Sequence, residues 1–171
     1  HKQHTTYESV RNIMTTRSYD GAAANEELQA DLSLGNTYAE IVESNDTAKA
    51  ARKYLPKNLR KQYSSEQISS MINAEPIMQT TIVKVSAKAN TAKDSAAIVN
   101  AVAKASANKI PQKVTSAGKI SLFSKAVASE AKSNTSPSTK KLTLLGAAIG
   151  FLLGLVLSFS ATTWVYLIKR K

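Results

Sequence analysis

The longest uniform pattern lies at the C-terminal end. Leu142 to Ile168 reads LTLLGAAIGFLLGLVLSFSATTWVYLI, 27 residues without a charge, where about 20 suffice to cross the hydrocarbon core of a bilayer. Lys140 and Lys141 bound one end and Lys169, Arg170 and Lys171 the other. Trp164 and Tyr166 stand where interfacial aromatics anchor such helices. The pattern predicts a transmembrane helix over 142–168. Upstream, Thr5 to Arg17 mixes β-branched and aromatic residues with charge and predicts a strand, and Asp20-Gly21 predicts a turn. From Asn25 to Tyr54, Leu28, Leu32, Gly35, Tyr38, Ile41 and Val42 recur at three- and four-residue spacing. That spacing predicts one long helix or two consecutive ones, broken at Asn45-Asp46 and ended by Pro56. Ser64 with Gln67 forms a capping box that opens a short helix through Ile72. Gln79 to Lys88 alternates, with Thr81, Val83, Val85 and Ala87 on one face, and predicts a strand. A cap at Thr91–Asp94 precedes an alanine-rich helix, Ala92 to Lys109, striped by Ile98, Val102 and Ala105. Lys119 to Ala128 predicts a third strand, and the polar run Ser129 to Lys141 a linker.

The order of elements is that of an α/β fold. It predicts a small mixed sheet with packed helices, including a long N-terminal helix, followed by a C-terminal transmembrane helix. The strand–helix–strand from Gln79 to Ala128 fits a right-handed parallel unit. Four regions are expected: an α/β domain over 1–128, a linker over 129–141, the membrane helix over 142–168 and a basic tail over 169–171.

Charge leaves two readings open, an anionic neighbour or a generally solvated basic surface, since the lysines are scattered and form no dense cluster with arginine. The chain of 171 residues carries a formal charge of +11; three of its 23 basic residues form the tail, leaving 20 against 12 acidic. A basic domain beside a membrane suits lipid headgroups or an acidic glycan. Nucleic acid is not expected, because no basic-aromatic motif occurs. The short basic tail directs that end of the helix to the cytoplasm and the domain to the outside.

Enzymatic chemistry finds no foothold. There is no cysteine, which excludes disulfides and thiolate sites. His1 and His4 sit at the terminus, where fraying is the expectation. No GxxxxGK[ST], GxGxxG, GxSxG or HExxH pattern appears. Glu26, Glu27, Glu40 and Glu43 fit solvated helical faces, and Tyr38, Tyr54 and Tyr63 fit core or interface packing. A protein without catalytic residues, cofactor or metal is expected.

Gly146, Gly150, Gly154, Ser158 and Thr162 recur every four residues along the apolar run. On a helix they make one ridge of small groups, which lets a second helix approach closely.

Three segments together, NTYAEIVESNDTAKAARKYLP, SSEQISSMINAEP and TTIVKVSAKANTAKDSAAIVNAVAKA, followed by a polar linker and a glycine-rich membrane helix, resemble the Wzz chain-length-determinant family. The nearest branch is that of the Gram-positive modulators of capsular and exopolysaccharide tyrosine kinases. The resemblance covers about Asn36 to Ile168. It implies a polysaccharide co-polymerase: two membrane helices flanking an outer α/β domain, ring-like homo-oligomers and an influence on polymer length. It also implies contact with polymerase and export machinery and a cytoplasmic end that engages a tyrosine kinase. Ile168, Lys169, Arg170 and Lys171 would face that kinase, and the ridge at Gly146, Gly150, Gly154 and Ser158 would pack on another membrane helix. The chain departs from the family pattern in three ways. It begins at HKQHTTYES, where the family is just leaving the membrane, which implies a truncated N-terminus. Its tail is three residues long, and its linker holds the single proline Pro137.

Two other classes compete. A wall-anchored adhesin would need an LPxTG-like signal before the helix, where the chain reads SPSTKKLTLLG. A tail-anchored receptor would need an enclosed apolar pocket.

Overall fold

In a computed structural model of the protein, residues 4–18, 21–136 and 139–168 are described. They divide into an α/β unit, Thr6–Asn134, and a second unit that contains the C-terminal helix.

The first strand, β1, spans His4–Thr16. The run expected as one long helix or two is helical but divided into three: α1 (Ala24–Ser33), α2 (Gly35–Glu43) and α3 (Asn45–Ala51), with a 3-10 turn at Arg52–Tyr54. The sharp break falls at Ser44, whose backbone is extended (φ −62°, ψ 148°) and whose Oγ accepts from the Thr47 amide at 3.3 Å. Asn45 and Asp46 thus begin α3 rather than end α2, because the serine satisfies the amide that a continuous helix would have bonded. Pro56 starts a further short helix, α4 (Lys57–Gln62). The capping box forms as expected: Ser64 Oγ accepts from the Gln67 amide, Gln67 Oε1 from the Ser64 amide, and α5 runs Ser65–Met71.

Ile72–Pro76 is β2, an element the pattern did not suggest. A turn joins it to β3, Ile82–Ala89. The expected strand start at Gln79 moves to Ile82 because Gln79 sits third in the Ile77–Thr80 turn with φ +59°. That conformation belongs to a type II turn, not to a strand. Next come α6 (Ala92–Lys113), capped by Thr91 Oγ1 on the Asp94 amide, and β4, shortened to Lys119–Leu122. The expected linker contains a strand, β5 (Lys132–Ser136), which pairs with β1. Every β5 residue is exposed, so it has no apolar alternation to betray it. Side-chain contacts fasten it: Thr6 Oγ1 donates to the Asn134 carbonyl and Asn134 Nδ2 to Glu8, each at 3.4 Å. The apolar helix α7 spans Thr139–Ile168. Its segment Thr143–Ser160 is long and apolar enough to cross a membrane, by length and composition.

The sheet has five strands in the order β2-β3-β1-β4, with β5 also on β1. The β1–β3, β1–β4 and β2–β3 ladders are antiparallel; Ile13 pairs with Val83 on one edge and Leu122 on the other. Hence β3 and β4 run in the same direction, as a crossover through α6 requires, but do not touch. The N-terminal strand lies between them, splitting the parallel unit expected from the sequence.

Helices cover one face of this sheet. Ile13, Val83, Val85, Ala87 and Ala89 point into the core against Tyr38, Val42, Ile98, Val102 and Ala105, each less than 8% exposed. The stripe read on α6 is therefore the inner face of that helix. Burying each large aliphatic side chain contributes about 1.5–3 kcal/mol. The other face carries Asn73, Glu75, Lys84 and Lys88, as expected of a sheet solvated on one side.

Candidate interaction surfaces

The ridge on α7 is open. A Cβ built at Gly146, Gly150 or Gly154 would meet nothing within 4 Å. Ser158 continues the same four-residue register. Large apolar neighbours such as Leu152, Leu153 and Phe151 are 59–70% exposed. Backbone of Ile168 closes α7; Lys169, Arg170 and Lys171 lie outside the described residues, as do the side chains of Thr162, Trp164 and Tyr166.

The carboxylates singled out in the sequence do not converge. Glu26 and Glu40 are exposed on separate helices, and Glu43 Oε1 accepts from the Ala74 amide at 2.6 Å, tying α2 to β2. An ion pair between the half-buried Arg17 Nη2 and the buried Asp31 Oδ1, at 3.4 Å, lies close to Tyr38. Burial, then the Asp31 charge, pushes the Tyr38 hydroxyl above its usual range, with Arg17 opposing. This cluster ties α1 to the end of β1. Tyr38 and Tyr63 are 2% and 5% exposed and serve the core, as expected.

Tyr54 does not. It is 40% exposed and separates two hollows of about 300 and 330 Å³ on the helical side of the α/β unit. The first lies between the Arg52–Tyr54 turn and the C-terminal half of α6, flanked by Lys53 and Lys109. The second lies along the N-terminal half of α6, flanked by Arg11, Lys104 and Lys125. Lys104 Nζ stands 4.6 Å from the centroid of the Tyr54 ring, and Asn108 Nδ2 donates to its hydroxyl at 3.2 Å. Two helical rows explain the groove. Ala97 and the more deeply set Ala101 make the floor of the second hollow, and Ala105 lies buried beneath the first. Asn100, Lys104, Asn108 and Gln112, one position round the helix, make a polar wall. From residue 97 to 112 the two hollows follow α6 for about 22 Å.

Arg11 is the unusual member. It lies in the inward phase of β1, 8% exposed. Its guanidinium donates to the Phe123 carbonyl at 3.1 Å and to Asn100 Oδ1 at 3.2 Å, both neutral acceptors. Burial pulls its pKa down from the ordinary value, although an arginine keeps its proton in a protein. Asn100 also accepts from the Ala126 amide at 3.0 Å and donates to the Ala126 carbonyl at 2.8 Å. That holds the segment after β4 against α6 and brings Lys125 to the groove. Sequence reasoning missed this constellation because β1, the Arg52–Tyr54 turn, α6 and the segment after β4 each supply part of it. One signal was present: Arg11 shares the strand phase of Ile13, so a charge faces the core.

No protein-family profile matches the chain. Two curated proteins do. The capsular polysaccharide type 8 biosynthesis protein cap8A of Staphylococcus aureus is 33% identical over 133 residues. The capsular polysaccharide type 5 biosynthesis protein cap5A of Staphylococcus aureus strain Newman matches to the same degree. Each match covers 78% of this chain and 55% of the relative, so the chain spans about half the length of the curated relatives it matches.

Proposed function

We propose that this chain belongs to a membrane-anchored regulator of surface-polysaccharide synthesis that acts as a scaffold rather than an enzyme. The observation that carries this reading is the 33% identity to two capsular polysaccharide biosynthesis proteins over most of the chain. The α/β unit followed by an apolar helix suits the role, since a regulator of a membrane-bound assembly line needs a folded body and an anchor.

In this reading residues 142–168 cross the membrane, the α/β domain faces outward, and the tail from Ile168 through Lys169, Arg170 and Lys171 meets a cytoplasmic tyrosine kinase. Gly146, Gly150, Gly154 and Ser158 seat a neighbouring helix, from a second copy or from elsewhere in the same protein. Oligomer geometry then influences how long the polymer grows before the polymerase and export machinery release it. The test is the size distribution of surface polysaccharide with the full-length gene present, deleted and restored. Deletion is expected to shift or abolish the modal length, and restoration to return it. An unchanged distribution at normal polymer yield would overturn the proposal.

A further inference from the structure

The groove divided by Tyr54 is cationic throughout. Arg11, Lys53, Lys104, Lys109 and Lys125 flank it, and no carboxylate lines either hollow among the described residues. The three ion pairs described, Arg17–Asp31, Lys84–Glu75 and Lys113–Asp46, include none of these five. Asp46, the acid whose field Lys109 reaches, is already hydrogen-bonded by Lys113 at 2.8 Å. A nine-tenths buried arginine with only neutral acceptors leaves an uncompensated positive charge at the groove wall, the arrangement that favours a bound anion.

From this we infer that the groove binds a linear acidic glycan, a chain of sugar rings bearing carboxylates or phosphates. Three features select that occupant. The two cationic hollows lie in a row along α6 on either side of Tyr54 and together span about 22 Å, a spacing suited to an extended polymer that carries several anionic groups. The partly exposed Ala97 methyl and the Tyr54 ring offer apolar contact to sugar faces, while Asn108 and Gln112 offer amide groups to hydroxyls. Arg11 is recessed at 8% exposure, so a planar bilayer surface cannot reach it, whereas a carboxylate or phosphate on a thin chain can. Choosing a glycan among polyanions rests in part on the reading in the preceding subsection; the cationic groove does not.

The full chain in a neutral detergent is titrated by calorimetry with hexagalacturonate, with maltohexaose as the uncharged probe, and with anionic phosphatidylglycerol vesicles. Hexagalacturonate is expected to bind and maltohexaose not. Lys104→Gln with Lys109→Gln is expected to weaken hexagalacturonate about tenfold, by two charge contacts. Removing the same charge off the groove, Lys61→Gln with Lys88→Gln, is expected to change it less than about twofold by long-range field alone. Tyr54→Ala is expected to weaken binding further in high salt, where screening leaves ring contact dominant. Unaltered thermal midpoints certify that the lysine variants fold. Equal losses in the groove and control pairs, equal binding of both hexasaccharides, or binding of vesicles alone would overturn the inference. Failure here with a deletion that still shifts polymer length rejects the groove and leaves the scaffold reading standing. Specific binding with unchanged polymer length does the reverse.

Discussion

Replacing Asn100 with alanine tests whether one side chain fastens the segment after β4 and seats Arg11. The substitution removes two hydrogen bonds to the Ala126 main chain, at 3.0 and 2.8 Å, and the 3.2 Å acceptor of the Arg11 guanidinium. The two neutral bonds contribute about 1 kcal/mol each and the charged one about 2 kcal/mol. Alanine is the better helix former by about 0.6 kcal/mol, which offsets part of the loss. The net cost is about 3 kcal/mol, equivalent to about 10 °C in the melting temperature of a unit this size. Circular dichroism melting of the full chain in detergent reads the cooperative transition of the α/β unit, and hydrogen exchange reads the Ala126 amide. Asn100→Ala is expected to lower the midpoint by that amount and to expose the amide. Asn100→Asp keeps both acceptor contacts, places a negative charge beside Arg11 and loses only the donor to the Ala126 carbonyl, so less than half the loss is expected. A shift under about 2 °C with the Ala126 amide still protected would refute the reasoning.

Gly118→Ala would set a Cβ 2.5 Å from the Thr16 carbonyl oxygen; since that atom is backbone, β4 must move from β1, and urea unfolding is expected to show a loss of about 1–3 kcal/mol. The Glu66 carboxylate is held down to about 2 from 4.5, first by a backbone hydrogen bond and then by Ser64, Ser65 and Asn45. With the folded pKa below the unfolded one, its contribution is present above about pH 4.5 and is lost as pH falls through 2. NMR titration of Glu66 should find the low midpoint, and Glu66→Gln should flatten the acid limb of stability. In membranes, Gly150→Leu with Gly154→Leu is expected to abolish cross-linked oligomers by blocking close helix approach; oligomers that persist unchanged would show that the ridge is not the contact.

What the sequence determined is what is local. The apolar run of α7, the alternation of Val83, Val85 and Ala87, the stripe of Ile98, Val102 and Ala105, and the Ser64–Gln67 box each depend on residues a few positions apart, so spacing alone reveals them. Together with the order of elements they were enough for the α/β class. Tertiary structure decided the rest. β5 has no apolar face and exists because β1 offers it an edge. β1, first in the chain, enters between β3 and β4, a pairing across some seventy to over a hundred residues that no window can contain. The groove arises only there: that insertion brings Arg11 to Asn100, Asn100 fixes Ala126, and the turn after α3 carries Tyr54 to α6. A side chain's phase on its own element is written in its neighbours along the chain, but which distant charges share a surface depends on how sheet and helices pack.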